Sequence, residues 1–147
     1  MKILVLNGPN LNMLGIREPD HYGKKTYADL VLRIEAYASE HGVKAVCRQS
    51  NHEGVLIDEI QGALGVFDGI ILNPGAYTHT SIALLDALKA VSLPTVEVHI
   101  SKVEEREAYR QISYVREACF ATVTGHGTNG YLEAIDLLIA KGKDKEQ

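Results

Sequence analysis

The sequence predicts an α/β fold built on a five-stranded parallel sheet with helices on both faces, and three observations predict it. Short β-rich runs recur along the chain, each followed by apolar residues at helical spacing. The first of them, Lys2–Leu6, is continuously apolar apart from its leading lysine, as a strand buried on both faces is. The segments that follow the runs are rich in Asn, His, Ser, Thr and Gly, so polar chemistry collects at one end of the strands.

Taken in order, Lys2–Leu6 is the first strand. Thr26 to His41 reads as a helix, with Thr26 and Asp29 spaced as a capping box and Leu30, Ile34, Tyr37 and Ala38 on one face. Gly42 stands where a glycine ends a helix. Val43–Arg48 is the second strand. His52 to Leu64 is a second helix with Leu56, Ile57, Ile60 and Leu64 inward. Gly69–Leu72 is the third strand. Ser81 to Val91 is the third helix, with Ile82, Leu85 and Leu88 on one side. Pro94–Val98 is the fourth strand, and Glu104 to about Ser113 a charged helical segment. Ala121–Val123 is the fifth strand. Asn129 to Lys141 closes the chain as a helix with Leu132, Ile135, Leu138 and Ile139 inward, and the tail from about 142 to 147 reads as flexible. Right-handed crossovers leave a flavodoxin-like three-layer sandwich as the natural arrangement.

The 147 residues suit one domain, 1–147, with one core. The net charge of −4 disfavours nucleic acid as a partner. Cys47 and Cys119 are neither a metal knuckle nor a disulfide framework, and two thiols fit a reducing cytoplasm. The apolar start is too short for a signal peptide, because Asn7-Gly8-Pro9-Asn10 interrupts it. No stretch approaches the ~20 apolar residues that span a bilayer.

Ligands of such a sheet bind beyond the carboxyl ends of the strands. The segments there are Asn7–Asn10, Gln49–Glu53, Asn73–Thr80, His99–Ser101 and Thr124–Asn129. Turns and caps explain part of this composition. They do not explain several neutral-to-basic side chains converging on one edge. Leu11 to Lys25 is longer than the usual ~2–6 residue connection, as active-site lids are. It carries Arg17, Glu18, Asp20, His21 and Tyr22; a lid with an arginine and a tyrosine suits an anionic substrate, and a solvated surface loop is its plain alternative. Arg106 and Arg110 are four apart and would share one face of a helix. Their plain alternative is pairing with Glu104, Glu105 and Glu107.

The segment from Ile3 to Pro19, ending in Tyr22-Gly23, closely resembles type II 3-dehydroquinate dehydratases. So do Gln49-Ser50-Asn51-His52-Glu53-Gly54, Asn73-Pro74-Gly75-Ala76-Tyr77-Thr78-His79-Thr80-Ser81 and His99-Ile100-Ser101. The resemblance runs from residue 3 to about 139. It implies trans-elimination of water from 3-dehydroquinate to 3-dehydroshikimate, a step of the shikimate pathway, with no cofactor and no metal. It implies Tyr22 as general base, His99 as general acid, Arg17 as a charge stabiliser and Asn10 as holder of a water near the enolate. Asn73, Gly75, His79, Ile100, Ser101, Arg106 and Arg110 fall to substrate binding, and Asp86 to a neighbouring subunit's site. A dodecamer, a tetramer of trimers, is implied as well. The chain departs from the family pattern at Lys102, Glu104, Ile112 and His126, none of them a catalytic position.

The residue types fit that chemistry. A phenol of ordinary pKa about 10 is a weak base at neutral pH, and arginines nearby favour the phenolate. The enolate needs preorganised donors, and the departing hydroxyl needs a proton that histidine supplies near neutrality. The alternative is a flavodoxin-like nucleotide or flavin-binding protein, suggested by Gly125-His126-Gly127-Thr128-Asn129-Gly130. That fingerprint needs an acidic residue on a following strand, and the 17 residues after Gly130 leave no room for one. The six histidines include no His-Glu-x-x-His pattern.

Overall fold

The computed structural model describes residues 1–16 and 25–146. Five strands form one sheet: β1 (Lys2–Asn7), β2 (Lys44–Gln49), β3 (Gly69–Asn73), β4 (Thr95–His99) and β5 (Ala121–Thr124). All are parallel, in the order β2-β1-β3-β4-β5. This is the flavodoxin-like order, and the chain reverses its direction of travel across the sheet between β1 and β3. The helices are α1 (Tyr27–Glu40), α2 (Glu53–Gly62), α3 (Ile82–Val91) and α4 (Asn129–Glu146).

Side chains alternate across each strand, so the sheet feeds two cores. Ile3, Val5 and Ile71 pack with Leu30 and Ile34 of α1 and Tyr131, Ile135 and Leu138 of α4. Leu4, Leu6, Ile70 and Leu72 pack on the other face with Leu56 and Ile60 of α2 and Leu84 and Leu88 of α3. Each fully buried aliphatic side chain contributes roughly 1.5–3 kcal/mol. No helix among the described residues is long and apolar enough to cross a membrane.

The helix signals act as read. The Thr26 hydroxyl accepts from the Asp29 amide, and the Asp29 carboxylate accepts from the Thr26 amide. Gly42 follows α1 with φ +72°, the left-handed backbone that only glycine adopts without strain. The Ser81 hydroxyl caps α3 by accepting from the Leu84 amide.

Several boundaries differ, for physical reasons. Every strand ends one residue later than apolar patterning indicates. Asn7, Gln49, Asn73, His99 and Thr124 are polar, yet their backbones pair: Asn7 with Gln49 and Asn73, His99 with Thr124. Leu64 falls beyond the end of α2 and is exposed, as is Ile82 at the start of α3. The closing helix continues to Glu146 instead of ending at Lys141.

The charged segment is not an α-helix. It forms two short 3₁₀ turns, Val103–Glu105 and Ala108–Arg110. It has no apolar stripe to bury, and the Gln111 amide instead donates to the carbonyls of Val103, Arg106 and Glu107. Of the lid expected at 11–25, Leu11 and Leu14 are buried in the core and anchor its start. Residues 17–24, and with them Arg17 and Tyr22, lie outside the described residues.

Candidate active site

A concave cleft opens over the carboxyl ends of β1, β3 and β4. Asn10 enters it after β1, and Asn73, Gly75 and His79 from β3 and the turn beyond. His99, Ile100 and Ser101 come from β4, and Arg106 and Arg110 from the two 3₁₀ turns. Pro9, Leu11, Ala76 and Val103 complete the wall, all four of which sequence reasoning passed over as site residues. Asp86 is exposed on α3 and does not line this cleft.

Two tight turns form the rim. A Cβ on Gly8 would meet the Pro74 carbonyl oxygen at 2.4 Å, and one on Gly75 would meet the Pro9 carbonyl oxygen at 2.9 Å. The two Gly–Pro turns therefore press on each other, and Gly75 also needs its φ of +60°. The segments after β2 and β5 do not line the cleft, contrary to the expectation of five converging segments. They buttress it. Gln49 Nε2 donates to the Gly8 carbonyl at 3.1 Å, and Asn51 Oδ1 accepts from the Asn10 amide at 3.1 Å. The Gly127 amide donates to the Ile100 carbonyl at 3.1 Å, and the Gly125 amide to Ser101 at 3.2 Å. The glycine-rich loop thus holds the His99–Ser101 turn in place.

Asn73 sits in a buried polar chain. Its Nδ2 donates to Tyr131 Oη at 2.9 Å, and Tyr131 donates to Asn7 Oδ1 at 2.6 Å. Its Oδ1 accepts from the Gly75 amide at 3.1 Å and shapes the turn. Tyr131 was not foreseen, and Asn7 only as part of the polar segment after β1.

His99 is 6% exposed, and its Nε2 is bonded to Glu97 Oε2. That contact leaves Nδ1 as the ring nitrogen for a ligand. Glu97 is fully buried mid-strand, in contact with no solvent. Its carboxylate also accepts from Ser113 Oγ at 2.6 Å, Arg116 Nε at 2.9 Å, Thr122 Oγ1 at 3.2 Å and Thr78 Oγ1 at 3.3 Å. Burial alone would raise its pKa, but the hydrogen bonds from His99, Arg116 and Ser113 outweigh burial and hold it at about 2. Sequence reasoning missed Glu97 as well. Its signal was the alternation Thr95-Val96-Glu97-Val98-His99, which puts a carboxylate and an imidazole on one face of a buried strand.

His79 Nδ1 lies 2.7 Å from the Ile112 carbonyl, so that nitrogen carries the proton and Nε2 is an acceptor. Burial lowers its pKa most; the Ile112 contact opposes this, and the charges of His99 and Arg110 add to the lowering. The side chains of Arg106 and Arg110 are only 9% and 21% exposed. Arg110 Nε donates to Glu107 at 2.7 Å, the intrasegment pairing weighed as its plain alternative, while its guanidinium still borders the cleft. Both thiols are pushed up to about 12, chiefly by burial.

The architecture and site define a parallel α/β sandwich with an anion-suited cleft at the sheet's reversal point, containing a buried carboxylate–imidazole pair. The Dehydroquinase class II family model matches residues 1–139. The 3-dehydroquinate dehydratase of Variovorax paradoxus is 52% identical over 143 residues, covering 94% of this chain and 98% of that protein. That of Corynebacterium glutamicum strain R is 54% identical, covering 93% and 94%. The crystal structure of type II dehydroquinase from Butyrivibrio crossotus superposes with a TM-score of 0.93 at 52% identity, covering 95% of this chain and 97% of that one. The chain belongs to the class II dehydroquinase family.

Proposed function

We propose that this chain, as one catalytic domain, removes water from 3-dehydroquinate by trans-elimination to give 3-dehydroshikimate in the shikimate pathway, with the roles that follow. Tyr22 takes the proton next to the ketone, and Arg17 stabilises the charge that develops. The C–H electron pair moves to the carbonyl oxygen as an enolate, near Asn10 and a water it holds. Collapse of the enolate forms the C=C bond and breaks the C–O bond. His99 gives the departing hydroxyl its proton through Nδ1, and water leaves.

The observation that carries this reading is the convergence of His99, anchored on Glu97, with Arg106, Arg110 and Asn10 on one cleft. Glu97 holds Nε2 and so orients the ring with Nδ1 toward the leaving hydroxyl. The two arginines, little exposed to water, make the cleft positive for a carboxylate substrate. Ser101 and main-chain N–H groups hold that carboxylate, and Asn73, Gly75, His79 and Ile100 line the same cleft and bind the substrate. The ketone itself accepts the charge, so the reaction as written calls for no cofactor or metal.

A homo-oligomer, a dodecamer of four trimers in the cytoplasm, is part of this reading. Its support is that Asp86 is exposed on α3 and does not line its own cleft, which leaves it open to a neighbour. The test is an ultraviolet assay with 3-dehydroquinate, a strong chelator and no added cofactor. The conjugated enone product is the expected result. Folded protein that forms none would sink the reading.

A further inference from the structure

We propose that Arg116 is a positioning residue for the dehydration: it clamps the Glu97 carboxylate and keeps it charged and aimed at His99. The inference rests on the reading of His99 as proton donor. Nothing in the family resemblance or the sequence patterning marked Arg116.

The geometry is a two-nitrogen fork. Arg116 Nε donates to Glu97 Oε1 at 2.9 Å and Nη2 donates to Oε2 at 3.2 Å. Oε2 is the oxygen that also holds His99. The groups facing Glu97 come from four places. His99 shares its strand. Thr78 and His79 lie on the turn after β3, Ser113, Arg116 and Cys119 on the segment before β5, and Thr122 on β5 itself. Glu104 acts on Arg116 from outside. Thr78, Ser113 and Thr122 are neutral donors, and His79 has its proton affinity lowered by burial. Among the described residues, Arg116 is the one lysine or arginine bonded to Glu97.

Turnover puts the most weight on that cation at the step in which His99 gives up its proton. When His99 gives its proton to the leaving hydroxyl, the imidazole becomes neutral. Glu97 would then be a buried anion with neutral partners only, and burial favours its protonation. A protonated Glu97 offers a hydroxyl donor where Nε2 has its acceptor, so the ring loses the partner that aims it. The Arg116 fork keeps the carboxylate ionised through this step, so the proton taken up from solvent returns to His99. The guanidinium can do this at modest desolvation cost because its side chain is 46% exposed while the carboxylate is fully buried.

The experiment compares wild type, Arg116→Gln and Arg116→Lys, each checked for fold by circular dichroism. Turnover and fold are followed together from pH 2 to 9. In parallel, isotope-edited infrared spectra of ¹³C-glutamate protein, with the Glu97 band identified by its loss in Glu97→Gln, follow that carboxylate directly. In Arg116→Gln the Glu97 titration and the acid limb of kcat should both rise by ~1–2 pH units, as loss of an adjacent opposite charge implies. KM should stay within about twofold, since Arg116 does not line the cleft. Arg116→Lys, which keeps the charge and loses the fork, should fall between the two. A uniform loss of kcat with an unmoved Glu97 band marks a merely structural residue and overturns the proposal. If Arg116→Gln does not fold, a folded Arg116→Lys whose Glu97 band coincides with wild type overturns it as well. A Glu97 band that moves while the kcat profile does not supports the clamp and refutes instead the reading of His99 as the acid.

Discussion

Replacing Glu97 by glutamine tests the architecture of the site most directly. The side chain is fully buried, and each of its partners donates or, in His99, carries the proton toward it. Glutamine keeps the shape but removes the charge and turns one acceptor into a donor aimed at donors. The fall from an ordinary 4.5 to about 2 corresponds to ~3 kcal/mol of native stability at neutral pH. Because the folded pKa is depressed, that contribution is present in full above about pH 4.5 and fades as pH falls toward about 2. Glu97→Gln should therefore be ~3 kcal/mol less stable than wild type at pH 7, a drop of ~1–2 M in urea midpoint for m of about 2 kcal/mol/M. The gap should narrow between pH 4.5 and 2 as the wild-type carboxylate takes up its proton. Urea titrations at fixed protein concentration, at pH 7 and pH 3, measure both. Turnover should fall ~10²-fold or more, the scale of a displaced general acid. Equal stability of the two proteins at pH 7, or a gap that does not change with pH, would show that the hydrogen bonds do not hold Glu97 ionised.

Three further outcomes are expected. Tyr22→Phe should nearly abolish turnover while substrate still binds by calorimetry; near-wild-type turnover would rule out Tyr22 as the base. Arg110→Met should raise KM ~10–100-fold with a smaller effect on kcat, the worth of one charge-assisted hydrogen bond to the substrate, read from steady-state kinetics. Gly8→Ala should cost ~1–3 kcal/mol by thermal denaturation, since its Cβ would sit 2.4 Å from the Pro74 carbonyl oxygen and neither backbone can yield. A melting temperature equal to wild type would mean that the two turns are free to separate.

Much of this protein is legible in the chain because local rules and burial agree. Lys2–Leu6 is a central strand on apolarity alone. Thr26, Asp29 and Gly42 mark the two ends of α1 by capping chemistry. The order of the polar segments places His99, His79, Asn73 and Asn10 at strand ends, and their convergence follows from a parallel sheet, whose strands all end on the same side.

What the tertiary structure decided lies where one residue serves another far along the chain. Gln49, Asn51 and the Gly125–Gly127 loop look like lining residues and are buttresses, because their polar groups are taken up by the backbones of the turns after β1 and β4. Arg106 and Arg110 reach the cleft from 3₁₀ turns, not from a helix, because the segment has no apolar face and Gln111 takes up its carbonyls. Arg116 and Tyr131 have no local signature, and nothing local to Glu97 or Asn7 names their partners. A buried charge or hydroxyl is tolerable only where partners on other strands and turns satisfy it, and those partners meet only once the sheet has closed around them.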